Sequence, residues 1–496
     1  MKAGSSPALS TRRGGKALVA ATVWKQVCRL ISYAVLARLV GPTQLGLATT
    51  IVVTASFFSL ASDAGGDRFL IQDRHGDEPE VQRLVQLVFV IRGVVVAAAT
   101  AACAWPVAAF FRAPELVPAI MVLGAAPLIS GFFNLDMRRV QRRHDFRAES
   151  LAEAASETAA LAATLAGAFL LRSFVAVLFG LIARPAVMVA ISHLRAERPY
   201  SLGFARAHAP RFARFAGPLM LNGFLLFLII QGDRGLIGRR IGLEALGQYS
   251  AILLLIYYPS QVLFSYLHVV ALPGIAGARD EAINRARRVD LLEGRALLLA
   301  LGMSIGFAII APIMVPVLYG HRYGESRLII CLIGILQTSR FMVLAPNTEA
   351  MAGGKSWLIV TLQVLRLMAL PAAILGAALH GGLAGVVIGF TAGELAALLA
   401  ANLLLDRGWS ARRRSLGRVA GFVAVQAALV GWVFALAAPR PAQVAGLGAV
   451  SLLLCLLLVR HEWTIITDGV DQIKTLIGQF RPSGGVLGAS SAGEGK

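Results

Sequence analysis

The chain has 496 residues, 57% hydrophobic and 15% charged, with a mean hydropathy of +0.70 and a formal net charge of +20 at pH 7. Soluble chains carry about 25% charged residues, so a large soluble enzyme is excluded. Apolar stretches of about 20 residues recur, the length that crosses ~30 Å of hydrocarbon, and the chain reads as an all-α polytopic membrane protein.

Residues 1–14 read as a disordered cytoplasmic N-terminus. Arg12, Arg13 and Lys16 resemble the n-region of a signal peptide, but Lys25 and Arg29 interrupt the run that follows. No clear cleavage site appears, so the first helix is expected to be retained. Predicted spans follow at 17–37, 45–62, 84–111, 116–134, 151–171, 174–194, 215–238, 246–270, 296–318, 328–345, 357–379, 382–405, 419–437 and 443–459. That is about fourteen transmembrane helices. Pro106, Pro185, Pro259, Pro312 and Pro371 lie inside spans, where proline bends a helix. Beyond the last span, Trp463, Ile466, Val470, Ile473, Ile477 and Phe480 recur at three- and four-residue steps. The stripe makes 461–480 an interfacial amphipathic helix, with 481–496 a disordered tail.

Basic residues cluster in the even-numbered loops, as at Arg138, Arg139, Arg142, Arg143 and Arg147, and again at Arg412, Arg413 and Arg414. With the two ends included, about 32 of the 47 lysines and arginines fall on that side. The excess of cations in cytoplasmic loops places both termini in the cytoplasm. Because the charge is spread over short loops, nucleic acid is not an expected partner. Cys28, Cys103, Cys331 and Cys455 each stand alone in a different apolar segment, and buried packing is their default. No metal-ligand spacing or nucleotide-binding loop is present, so neither metal nor cofactor is expected. No loop is long enough for a folded catalytic domain, which weighs against a membrane glycosyl- or phosphotransferase.

An internal repeat is visible. "RLVGPTQLGLAT" (38–49) and "RRIGLEALGQYS" (239–250) match at Gly41/Gly242, Leu45/Leu246 and Gly46/Gly247, and Glu115 and Gly124 pair with Glu325 and Gly334. Helices 1–6 (an N-lobe, 15–200) and 7–12 (a C-lobe, 201–405) then form related halves in the same orientation. Helices 13–14 (406–460) are appended.

Charges inside the spans carry the functional signal. Lys25 and Arg29 share a face of helix 1, with Arg92 in helix 3, Arg184 in helix 6, Arg340 in helix 10 and Arg366 in helix 11. A basic group at mid-membrane costs about 2.5–3.5 kcal/mol, so these side chains must line water or meet partners. Glu394, mid-helix 12, stands at the depth of Arg366 and is a candidate for ion pairing or for proton or sodium coupling. Asp63, Asp67, Glu153 and Glu157 lie near the inner ends, where they can cap other cations. Fewer acids than bases at mid-depth leave a cationic cavity, which implies an anionic substrate; planar guanidinium suits phosphate oxygens. One stretch is unusual: "FLLFLIIQGDRGLIGRRIG" (224–242) places Asp233 and Arg234 in a segment built to avoid water.

"ARLVGPTQLGLATTIVV" (37–53), "LASDAGGDRFLIQ" (60–72), "VQRRHDF" (140–146) and "GDRGLIGRRIGLEALGQYS", followed by "YYPSQVLF" and "VALPGIA", resemble one family in order and spacing. This is the Wzx-type lipid-linked oligosaccharide flippases of the multidrug/oligosaccharidyl-lipid/polysaccharide superfamily. The resemblance runs from about residue 15 to 460. It implies a two-lobed, twelve-helix transporter with two extra helices, alternating between inward- and outward-open states. Its substrate would be an undecaprenyl-diphosphate-linked repeat unit for surface polysaccharide (O-antigen, capsule or exopolysaccharide). A polysaccharide polymerase and export machinery would be its partners. Asp233–Arg234 falls where the family carries an Asp-Arg pair near the outer end of helix 7. An outer lobe-to-lobe latch is the expected role there, with Asp63, Asp67 and Arg68 as the inner counterpart; a local pair is the alternative. An ion-coupled multidrug exporter of the same fold is the competing function, disfavoured by the arginine-rich interior.

Overall fold

The computed structural model describes residues 7–142, 145–278, 281–354, 356–436 and Arg460. The predicted helix at 443–459, the interfacial helix at 461–480 and the tail at 481–496 lie outside the described residues. The described chain is helical and contains no strand.

The first lobe holds α1 (Pro7–Val40), α2 (Pro42–Ala61), the short α3 (Gly66–Gln72), α4 (Pro79–Ala102), α5 (Ala104–Phe111), α6 (Leu116–Leu123), α7 (Ala125–Gly131), the short α8 (Asp136–Gln141), α9 (Arg147–Leu171) and α10 (Ala176–Leu194). The second holds α11 (Ala209–Arg240), α12 (Leu243–Gly277), α13 (Ala282–Tyr319), α14 (Arg327–Met342), α15 (Leu344–Ala352), α16 (Ser356–Leu367), α17 (Ala369–His380) and α18 (Gly382–Leu404); α19 (Trp409–Leu436) is appended. Among the described residues, eleven helical segments are long and apolar enough to cross a membrane. Together with α1 and the α6–α7 pair they occupy the first thirteen predicted spans. The protein is a multi-pass membrane protein. One expectation fails at the start: α1 begins at Pro7, inside the stretch read as disordered. Proline is well placed in a first helical turn, and the apolar span behind it carries the helix backwards.

Proline explains why some spans are two helices rather than one. Ala102, Leu123, Met342 and Leu367 end α4, α6, α14 and α16. Four residues beyond each stands a proline: Pro106, Pro127, Pro346 and Pro371. The carbonyl of each terminal residue would need the N–H that its proline lacks, so the helix breaks there. Pro185, Pro218, Pro259, Pro273, Pro312 and Pro316 instead sit within continuous helices.

The repeat motifs meet one another. Gly41 and Gly242 precede α2 and α12 with φ of 82° and 124°, a region that favours glycine. Five residues on, the two helices cross at Gly46 and Gly247. A Cβ on Gly46 would stand 1.9 Å from the Leu243 carbonyl oxygen, and one on Gly247 would stand 1.9 Å from that of Pro42. Backbone meets backbone across the lobe boundary at the predicted-outer end.

Core packing follows the same division. At the outer half one apolar cluster joins Leu45, Ile51 and Phe111 of the first lobe to Leu246, Ile252 and Phe390 of the second. Towards the predicted-inner end the cores separate. Leu70, Val81 and Val85 pack with Phe212, while Leu292, Leu297, Phe341 and Phe422 form another cluster. The lobes share one core at the predicted-outer end and keep separate cores at the predicted-inner end. Helix α11 bridges them: its first turns dock on the first lobe, where Arg211 pairs with Asp73 at 3.1 Å, and its last turns belong to the second. The inner loops of the first lobe are tied by buried Asp136, which accepts from Arg139 Nε (2.6 Å) and from the backbone N–H groups of Glu197 (2.7 Å) and Arg198 (3.1 Å). Burial alone would raise the pKa of this carboxyl, but these donors hold it below the usual carboxylate range.

Candidate functional site

Helix geometry builds the first-lobe cluster. Lys25 and Arg29 are one turn apart on α1, Glu153 and Glu157 one turn apart on α9, and the two helices pack side by side. Lys25 Nζ lies 2.9 Å from Glu153 Oε1. Arg29 donates to both oxygens of Glu157, at 2.7 and 3.3 Å. Arg184, beside Pro185 on α10, completes the cluster from the other side. Its Nε meets Glu157 at 2.7 Å and its Nη2 meets Glu153 at 3.2 and 3.3 Å. Three cations therefore surround two carboxylates. The carboxylates are the more enclosed: Glu157 is 3% exposed, whereas the Arg29 and Arg184 side chains are 39% and 38% exposed. Cationic surface is left open.

The second-lobe cluster has the same balance but is buried. Arg340, in the last turn of α14, bridges Asp233 on α11 (2.9 Å) and Glu394 on α18 (3.2 Å). Arg366, in the last turn of α16, donates to both Glu394 oxygens at 3.0 and 3.3 Å. Both arginines end helices at proline breaks, where unpaired carbonyls favour a cation. Asp233 also accepts from Tyr249 Oη at 2.6 Å. Arg234 reaches Gln231, which donates to Ser56 of α2 at 3.2 Å. Arg184 and Glu394 stand at the offset that separates Glu115 from Glu325, so the repeat carries the pairing with its sign reversed.

Arg92 stands apart. It donates to Ser62 Oγ (3.0 Å) and the Ser59 carbonyl (3.1 Å), with Asp63 and Asp67 within electrostatic reach. It lines a first-lobe cavity of about 210 Å³ together with Arg184, Phe58, Phe89, Val96 and Leu181. A second cavity of about 400 Å³ lies in the second lobe and is lined by Arg234, Arg340 and Arg366.

Three expectations need correction. Acids at membrane depth are not scarce: Glu153 and Glu157, placed near the inner ends by the sequence, pair with Lys25, Arg29 and Arg184 at the depth of those cations. The cationic excess survives as one charge in each cluster, plus Arg92. Asp233–Arg234 is not a lobe-to-lobe ionic latch: Asp233 pairs within its own lobe, and this cluster reaches the first lobe through the neutral Gln231–Ser56 bond. Arg68 pairs locally with Asp63 at 3.3 Å, and no cross-lobe ion pair joins Asp63, Asp67 or Arg68 among the described residues. Glu394, the candidate coupling carboxylate, already accepts three hydrogen bonds from two guanidinium groups. A sodium ion would have to displace them.

Sequence reasoning missed Tyr249, Gln337 and Gln363, neutral residues with no spacing signal. It also missed a clasp near the predicted-inner side, where Arg407 bridges Glu293 at 2.6 Å and Glu349, and Arg418 meets Asp290 at 2.8 Å.

Comparison with known proteins accords with this geometry. The family described as "polysaccharide biosynthesis protein" matches residues 35–327. The succinoglycan biosynthesis transport protein ExoT of Rhizobium meliloti (strain 1021) is 23% identical over 304 residues. That match spans 60% of this chain and 60% of that protein's length. Among solved structures, the lipid II flippase MurJ in an inward closed conformation superposes with a TM-score of 0.69 at 10% identity, covering 90% of this chain and 98% of that one. A MATE family transporter of the MOP superfamily, inward-facing, gives 0.64 at 14% identity over 79% and 95% of the two chains. An outward-facing form of such a transporter gives 0.51 at 15% identity over 84% and 99%. The fold is that of the MOP transporters, and the inward-facing form fits it better.

Proposed function

This chain belongs to the polysaccharide biosynthesis protein family, and on that premise we propose that it is a flippase for an undecaprenyl-diphosphate-linked oligosaccharide repeat unit. It would carry this substrate from the inner to the outer leaflet of a bacterial inner membrane, with both termini cytoplasmic. The observation that supports this is the open cationic surface of the first lobe. Lys25, Arg29 and Arg184 are held in place by Glu153 and Glu157 yet remain partly exposed. A diphosphate carries about two negative charges and needs compensation where the dielectric is low. It docks by competing with Glu153, the less enclosed carboxylate, for Lys25 and Arg184.

Transport then needs only alternation. The substrate enters between the separate inner cores. The lobes rock, the α2–α12 seam opens and the saccharide leaves outward. No chemical step is required, so the protein acts as a transporter and not as an enzyme. The drug-exporter reading shares the fold, but an interior with more cations than carboxylates repels cationic drugs.

Deleting the gene is expected to make lipid-linked repeat units accumulate on the inner leaflet and to reduce surface polysaccharide. Unchanged polysaccharide with no accumulation would sink the reading. Arg29 refines the test. Arg29→Lys keeps charge but loses the bidentate fork and impairs export partially; Arg29→Gln weakens binding by about 10- to 100-fold. Because Arg184 also holds Glu157, Arg29→Gln strands no carboxylate, so the protein level should stay normal. A lost protein level with normal export per molecule would instead mark Arg29 as structural.

A further inference from the structure

The second-lobe cavity differs in chemistry from the first. At about 400 Å³ it falls within the ~300–1,000 Å³ range of small-molecule sites. Side chains in its wall carry buried polar atoms without hydrogen-bond partners: Gln337 Oε1, Asn347 Oδ1, Gln363 Oε1, Arg234 Nε and Arg340 Nη2. Gln337, Gln363 and Arg234 are only 5%, 8% and 6% exposed. Unmet polar groups so enclosed call for a partner. By contrast, no residue lining the first-lobe cavity carries such an atom among the described residues.

The network fixes which atom is free. Ser260 Oγ donates to the Tyr257 carbonyl at 2.7 Å, so it must accept from Gln337 Nε2 at 2.9 Å. Gln337 therefore leaves its oxygen, an acceptor, unsatisfied. Gln261 donates to Tyr257 Oη at 2.8 Å and sets the tyrosine ring in the wall, with the Phe264 ring also lining it.

We infer that this cavity is a sugar-binding pocket that takes one ring of the transported saccharide, an inference that rests on the flippase reading above. A fully ionised phosphate only accepts hydrogen bonds, so it satisfies the arginine nitrogens and leaves the three amide oxygens unmet. A sugar hydroxyl both donates and accepts, so a polyhydroxylated ring serves both sets. Aromatic rings offer apolar surface to the C–H face of such a ring. The arginine charge here is largely spent on Asp233 and Glu394, which suits a neutral or singly acidic sugar rather than a diphosphate. The lobes thus divide the substrate: the first holds the diphosphate, the second reads the saccharide.

The test uses the full chain in nanodiscs and saturation-transfer NMR with glucose, galactose, mannose, N-acetylglucosamine and glucuronate, alongside a pyrophosphate-binding assay. At least one saccharide should take up saturation from the wild type. Gln337→Leu and Gln363→Leu should each weaken that binding about tenfold while leaving pyrophosphate binding unchanged. Arg29→Gln should do the reverse. If either leucine variant has a lowered melting temperature, Asn347→Ala, at a half-buried position, takes its place with the same expectation. A wild type that saturates no saccharide in the panel, or a signal that survives these variants, means a water-filled void and overturns the pocket. Saccharide binding without pyrophosphate binding would count against the diphosphate site of the first lobe and leave the pocket standing.

Discussion

Glu394 shows how one partner more than expected changes a side chain's role. Its depth alone pairs it with Arg366, and for such a pair exchanging the two residues would restore function. The structure adds Arg340 to the same carboxylate. An arginine placed at 394 would then face Arg340, so the double exchange Arg366→Glu with Glu394→Arg should fail to restore export or protein level. Glu394→Gln leaves Arg340 with Asp233 but strands Arg366, and breaking a buried pair costs about 3–5 kcal/mol. The expected readout is a lower membrane level and a lower unfolding temperature in detergent. Recovery of wild-type level by the double exchange would return Glu394 to a simple pair. Glu153, 21% exposed in the open cluster, should tolerate glutamine better because water screens what is left.

At the scale of elements, the α2–α12 crossing is the feature on which outward opening depends in the proposed transport cycle. Gly46 and Gly247 allow backbone contact there, and a methyl group at either position has nowhere to go. Overpacking of this kind costs about 1–3 kcal/mol, here levied only on the sealed state. Gly46→Ala and Gly247→Ala should therefore shift the protein towards outward opening. A cysteine at Thr49, buried just below the crossing, reports the shift once the four native cysteines are replaced. Its labelling by a membrane-impermeant thiol reagent should rise severalfold in either alanine variant. Unchanged labelling would mean that the helices separate elsewhere. The four proline-broken spans carry a related lesson: composition marks where a helix is weakened, and the carbonyl four residues back marks where it ends.

For the whole molecule, the proposed orientation, with the shared core at the outer end and the separate cores at the inner end, is testable from outside the cell. Single cysteines at 239–245 and 319–326 should react with an impermeant reagent in intact cells, while those at 138–147 and 410–416 should not. Labelling at 410–416 would overturn both the helix count and the cytoplasmic placement of the termini.

Much of the fold was legible in the sequence. Long apolar runs mark spans wherever they fold, and the matched glycines at 41/242 and 46/247 marked the turns at which α2 and α12 meet. The cations were legible too, since a charge within an apolar run is conspicuous. Their partners were not. Glu153 and Glu157 are placed against Lys25, Arg29 and Arg184 by how α1, α9 and α10 pack, and linear spacing shows only that each pair shares a face. Likewise Asp233 was visible as an anomaly, but its use within one lobe depends on α14 delivering Arg340 beside it. Gln337 and Gln363 are unremarkable along the chain, and they become distinctive only where neighbouring helices enclose them and leave their oxygens unpaired. Hydrophobic length and backbone sterics are local properties that a sequence carries by itself. Pairing, enclosure and the shape of a cavity arise between helices, and only the tertiary structure decided them.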